Sequence, residues 1–137
     1  MVMVAFFEKF RDLAFKETRS VTVPAGNPVP ADEYGFLEFF CNDKACDCRR
    51  VMIRVVGRQS GDKVWATISY GWEDESFYRK WSPGIEDAAQ LGHPYLDPLN
   101  PQSEHAKSFL ILFMQMIQDK DYVRRLERHY KMFRRAS

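Results

Sequence analysis

Tyr34-Gly-Phe-Leu-Glu-Phe-Phe-Cys41-Asn-Asp-Lys-Ala-Cys46-Asp-Cys48-Arg-Arg50-Val-Met-Ile-Arg-Val-Val-Gly57 sets two strand-like runs on either side of a short polar segment that holds every cysteine of the chain. Residues 34–41 are rich in aromatics, and residues 50–57 carry Val51, Ile53, Val55 and Val56; both compositions suit a pleated, half-buried surface. A third run, 63–72, alternates with Val64, Ala66, Ile68, Tyr70 and Trp72 on one side. Gln59-Ser-Gly-Asp62 supplies a turn before it. Consecutive strands with short connections predict an antiparallel meander whose first connection contains all three cysteines. Glu38 is expected to face Arg54 across it.

Working outward, residues 3–17 place Met3, Phe6, Phe7, Phe10 and Leu13 or Ala14 at helical spacing with charges between them, which predicts an amphipathic helix. Val21-Thr-Val23 reads as a short strand, followed by a Pro- and Gly-rich loop. Beyond the meander, Glu73–Trp81 predicts a helix whose N-terminal carboxylates suit the dipole. Ser82-Pro83 predicts a second helix ending at Gly92, and His93–Pro101 an ordered loop. Asn100-Pro101 then opens a long helix with Ala106, Phe109, Leu110, Phe113 and Ile117 on one face. Asp119 or Asp121 starts a last helix with Tyr122, Val123, Leu126, Tyr130 and Phe133 inward. Trp65, Trp72 and Trp81 are assigned to the core. The fold expected is α+β: a small antiparallel meander of three to four strands, with the N-terminal helix and the C-terminal helices packed on one face. At 137 residues, one domain spanning 1–137 is expected.

With 45% hydrophobic residues and 15% aromatics, a core of this size needs no staples. The net charge of +1 gives the molecule as a whole no pull toward nucleic acid or membrane. Met-Val-Met-Val-Ala-Phe-Phe7 is a short apolar run with no basic residues before it. It does not read as a signal peptide and is too short to span a bilayer. Three clustered cysteines cannot all pair within one chain and argue for a reducing compartment. A cytoplasmic protein is expected.

Cys41-x4-Cys46-x-Cys48 is the pattern with chemical content. Thiolates are soft ligands. Residues two apart on an extended chain aim their side chains the same way, and four residues between Cys41 and Cys46 suffice to turn the chain around an ion. This supplies three legs of a tetrahedral zinc site with Zn–S near about 2.3 Å, a zinc-knuckle-like hairpin at 41–48. His129, on the inward stripe of the last helix, is the first choice for the fourth leg. His93, His105, Asp43, Asp47 and a thiolate from a second chain follow. The plain alternative is three reduced core cysteines, but Asn42, Asp43, Lys44 and Asp47 between them are not a core pattern. A redox pair at Cys46 and Cys48 would be strained when oxidised. An iron–sulfur cluster normally takes four cysteines, so zinc is preferred.

Catalysis finds less support. No G-x-S-x-G, P-loop, dinucleotide or H-E-x-x-H motif occurs, and three thiolates blunt the Lewis acidity of zinc. Between Tyr122 and Ser137 six cations oppose Glu127 alone. Arg124, Arg125, Arg128 and Lys131 are therefore candidates for phosphate contacts, although a solvated helix surface with dipole-complementing arginines at its end accounts for the same residues.

Cys41-x4-Cys46-Asp-Cys48-Arg-Arg, Leu96-Asp-Pro-Leu-Asn-Pro-Gln-Ser103 and Arg125-Leu-Glu-Arg-His-Tyr130 together resemble a group of small uncharacterised prokaryotic proteins. The resemblance implies a prokaryotic, cytoplasmic setting and no particular activity. The functional expectation is a structural-zinc binding module with another protein as its partner. The alternatives are a nucleic-acid- or ribosome-binding protein using the last helix, and a metal-dependent or thiol enzyme.

Overall fold

The computed structural model describes residues 2–84 and 88–136. The three runs of the meander form β3 (Asp32–Cys41), β4 (Arg50–Gly57) and β5 (Val64–Gly71), antiparallel in that order. They are part of a six-stranded antiparallel sheet, larger than expected. The additions come from both flanks. β1 (Met3–Ala5) pairs with Phe39–Cys41, and β2 (Ser20–Val23) pairs with Asp32–Gly35, so both lie on one edge of β3. β6 (Tyr95–Leu96) pairs with Ile68 and Ser69 on the far edge of β5.

The expected N-terminal helix is therefore divided. Met3 belongs to a strand, and the rest forms α1 (Phe6–Lys9) and α2 (Arg11–Glu17), broken at Phe10 (φ −134°, ψ 62°). The pair is an excursion between β1 and β2. Only part of its apolar stripe turns inward: Phe6 and Ala14 are buried, while Phe7 is 42% exposed. Helical spacing identified the stripe, but edge pairing with β3 took its first turn.

Alternation along β3 sends Tyr34, Phe36, Glu38 and Phe40 to one face, where all four are buried. α4 (Ala106–Met116) and α5 (Lys120–Arg135) cover that face. Tyr34 meets Trp65 and Phe109; Phe36 lies against Phe113; Phe40 contacts Phe6, Tyr130 and Phe133. Asp119 caps α5 by accepting from Asp121 N at 3.0 Å. α4 begins at Ala106, not at Pro101, because the preceding residues are engaged along the edge of β5. The Gln102 side chain accepts from Thr67 N (3.0 Å) and donates to Thr67 O (2.8 Å), and Ser103 N donates to Trp65 O. The ordered loop expected at 93–101 thus leads into a cover for the free strand edge.

Helices do not keep to one face. α3 (Glu75–Trp81), capped by Asp74, and a 3₁₀ turn at Ala88–Gly92 pack at Gly71, which alternation places opposite Ile68 and Tyr70. Residues 85–87, in the middle of the helix expected after Ser82, lie outside the described residues. A methyl group on Gly71 would run into the Tyr78 hydroxyl and the Leu91 carbonyl. Gly71→Ala is expected to lower unfolding free energy by about 1–3 kcal/mol in a denaturant titration. Gly84→Ala, with nothing within 4 Å of the added carbon, is the matched control and should change little.

Candidate metal centre

β3 delivers Cys41 to the end of the sheet, where Met3 pairs with it and Asn42 N donates to Val2 O. The chain then reverses. Asp43 Oδ1 accepts from Ala45 N at 2.9 Å and Asp43 O from Cys46 N at 3.0 Å, the local bonding for which aspartate is favoured in turns. Cys46 and Cys48 come back over Cys41, and the three sulfurs all lie within 4.8 Å of one another. Sulfurs about 2.3 Å from a tetrahedral zinc stand about 3.8 Å apart, so modest contraction accommodates an ion. Cys41 and Cys48 are buried and Cys46 is half-buried. Asp43 N points at Cys41 Sγ from 3.5 Å, as a donor to a thiolate does.

Without an ion, Cys46 and Cys48 hold their protons. Burial, then the two neighbouring sulfurs, pushes Cys46 up to about 12, and burial raises Cys48 as well. A soft cation relieves that repulsion by replacing the protons. The donor set therefore fits a metal ion.

The loop is held from three directions. Arg49 takes a left-handed backbone (φ 49°), a conformation costly for a residue with a Cβ. Its N–H donates to Tyr130 Oη of α5 at 3.1 Å, and its carbonyl accepts from Tyr78 Oη of α3 at 2.8 Å. Arg134 donates to the carbonyls of Asp43 and Lys44, both at 3.0 Å. Lys9 bonds Asn42 Oδ1 and the last-turn carbonyls Phe133 O and Ala136 O.

The final helix does meet the cysteine loop, through Tyr130 and Arg134. His129 is not part of the cluster, and its assignment as the fourth ligand is corrected. Its ring is fully buried, stacked on Phe6 at 4.2 Å. Nδ1 lies 2.6 Å from Glu38 Oε1 and Nε2 lies 2.7 Å from Glu17 Oε1. Glu38 in turn does not face Arg54. Register places Glu38 opposite Ile53 and Leu37 opposite Arg54, so Glu38 points to the helix-covered face while Arg54 lies over Phe39 and bonds Asn100. Strand parity held the missed signal: Glu38 alternates in phase with Tyr34, Phe36 and Phe40, and a buried carboxylate requires a cationic partner.

The other proposed donors are also placed elsewhere. His93 is exposed, and His105 packs on Trp65 at 5.6 Å. Asp43 Oδ1 closes its own turn. Asp47 is gripped by Arg49 and accepts from Tyr130 Oη at 3.2 Å, which holds it below the usual aspartate range, the Arg49 hydrogen bonds first. Among the described residues, no histidine, aspartate or glutamate joins the three sulfurs. Of the basic residues singled out, Arg124 pairs with Asp121, Arg125 donates to Glu17 O and Arg128 pairs with Glu17. Lys131 alone lines a groove of about 550 Å³ between the cysteine loop and α5, beside Lys44, Arg49, Trp72, Tyr130 and Arg134. Among the described residues, no helix is long and apolar enough to cross a membrane. No protein-family model, curated protein or solved structure matches the chain.

The buried triad carries a pH signature. Burial opposes charge on His129, but its bonds to Glu38 and Glu17 outweigh that and raise its pKa above the ordinary 6.5. The charged ring therefore stabilises the fold fully below 6.5, and this contribution fades as pH rises through the raised value. Glu17, lowered first by its bond to His129, adds its share above its ordinary 4.5 and loses it in acid. Burial pushes Glu38 up, against the pull of His129. Removing the imidazole strands Glu38, whose Oε2 already lacks a partner. His129→Gln is expected to cost about 3–5 kcal/mol, most between pH 4.5 and 6.5 and progressively less in alkali. A gap that ignores pH in denaturant titrations would rule out the ionic account.

Proposed function

We propose that the chain is a zinc-bearing binding module. Cys41, Cys46 and Cys48 would hold the metal, and the mutual approach of three thiols at the mouth of β3 is the observation that carries this reading. Zinc suits a compact three-sulfur set better than a cluster that normally needs four cysteines. Bound there, it would supply a fixed, soft-liganded cation joining the end of β3 to the start of β4. The fourth position is left to water or to a donor carried by a partner.

A structural and binding role is favoured over an enzymatic one on chemical grounds. Three thiolates leave the ion with net negative charge, which weakens it as a Lewis acid. The nearest groove carboxylates, Asp47 and Glu73, are engaged by Arg49 at 3.0 and 3.7 Å, and the Arg49 hydrogen bonds make Asp47 a poor proton acceptor. The docking face of the module is the groove beside the loop, where an acidic protein segment or the phosphates of a nucleic acid would each meet cations. A cytoplasmic setting agrees with three free cysteines.

Structural zinc contributes on the order of 10 kcal/mol where folding depends on it. Here the core cluster draws only Cys48 from the loop and is otherwise built from residues outside it, so a chelator is expected to speed amide exchange at 42–49 and at the end of α5 while β3–β5 stay protected. Elemental analysis of protein purified without chelator should find about one zinc per chain. Cys41→Ser and Cys48→Ser should lose it, and His129→Gln should keep it. Metal-free wild type, or undiminished zinc in Cys48→Ser, would remove the reading.

A further inference from the structure

The groove has a direction. Along α5, Glu127, Lys131 and Arg135 recur every four residues and all line it; at 1.5 Å per residue they span about 12 Å. Arg134 bonds the carbonyls of Asp43 and Lys44, so Lys44 faces the Arg135 end. The cations Lys44, Lys131, Arg134 and Arg135 thus gather toward one end, and Glu127 lies toward the other. Trp72 and Tyr130 form an aromatic wall, their rings 5.2 Å apart and nearly perpendicular.

Among the described residues, most of these cations have no ion-pair partner. Arg49 is the groove cation that pairs with carboxylates, Asp47 and Glu73. Arg134 is oriented by neutral carbonyls and has no carboxylate oxygen within 4.0 Å among the described residues, although its charge reaches Asp47 through space. Lys44, Lys131 and Arg135 have no carboxylate within 4.0 Å among the described residues; the ion pairs of the basic helix lie at its other end, on Asp121 and Glu17.

We propose that this groove binds a nucleoside phosphate unit, with phosphate on Lys44, Lys131, Arg134 and Arg135 and the base against Trp72, where Glu127 accepts from a base N–H. Fixed and flexible cations around one anion give charge-assisted bonds. Base-to-aromatic stacking is tolerant of sequence, and a carboxylate is a natural acceptor for an exocyclic amine. The volume lies within the range of small-ligand sites. An acidic peptide would satisfy the cations but would gain nothing from Glu127. The inference deepens the binding-module reading and draws nothing from the zinc.

The same unit occurs free and in a strand, and the experiment separates the two. ATP, a short single-stranded oligonucleotide, inorganic tripolyphosphate and polyglutamate are titrated calorimetrically and by tryptophan emission at two ionic strengths, with metal content measured on each sample. ATP or the oligonucleotide is expected to bind and quench tryptophan emission; whichever binds tighter identifies the source. Lys131→Glu combined with Arg135→Glu, both exposed, should weaken binding by about tenfold or more with metal content unchanged. Lys107→Glu on exposed α4 surface should leave binding unaltered. The proposal fails if neither nucleotide ligand binds, if tripolyphosphate or polyglutamate binds as tightly, or if the double reversal has no effect. Metal loss with nucleotide binding intact would count against the zinc reading alone.

Discussion

One backbone residue governs how this chain is put together at its functional end. Arg49 sits in left-handed space, where the Cβ of an ordinary residue is crowded by its own carbonyl, at a cost of about 1–2 kcal/mol. Two tyrosine hydroxyls from different helices hold it there, Tyr130 on its N–H and Tyr78 on its carbonyl. This turn folds Cys48 into the core and launches β4 from Arg50. Arg50 then reaches the Leu91 carbonyl and the Tyr95 hydroxyl, tying the segment before β6 to the same corner. The cysteine loop, both flanking helices and the far edge of the sheet therefore share one anchor.

A second polar knot fixes the roll of α5. Glu38, His129 and Glu17 join β3, α5 and α2 through a ring that no water reaches. Consecutive residues on a helix point about 100° apart. With His129 committed to Glu38, Tyr130 is turned toward the loop, and Arg134, one turn on, follows it to the carbonyls of Asp43 and Lys44. The inward stripe of α5 thus serves two addresses. A histidine on it bonds a buried carboxylate, and the next residue bonds the turn that shapes the thiol cluster.

Much of the architecture was legible because periodicity is local. The aromatic and β-branched composition of 34–41 and 50–57 and the alternation in 63–72 pointed to the central meander, and the stripes of α4 and α5 to their buried faces, since strand-forming composition and burial of one face are both read locally. The first turn of residues 3–17 was misread for a definite reason. Met3, Val4 and Ala5 are apolar enough for either element, and the open edge of β3 next to Cys41 decided between them. The late start of α4 has a similar cause. Asn100-Pro101 is a good helix-start signal, but the Gln102 amide satisfies the backbone of Thr67 better than it would serve a helix.

By itself the sequence determined that three sulfurs lie near one another, because eight residues of turn-forming chain leave them little room to separate. It also determined an α+β composition and a basic end to the last helix. Tertiary structure decided everything that depends on which distant groups meet. His129 went to carboxylates rather than sulfur because strand parity buries Glu38, and a buried charge takes the nearest cationic partner. Arg124, Arg125 and Arg128 were drawn to Asp121 and Glu17, while Lys131, Arg134 and Arg135 were left to line a groove. Which cations are neutralised is a property of neighbours brought together by folding, and linear spacing carries no record of them.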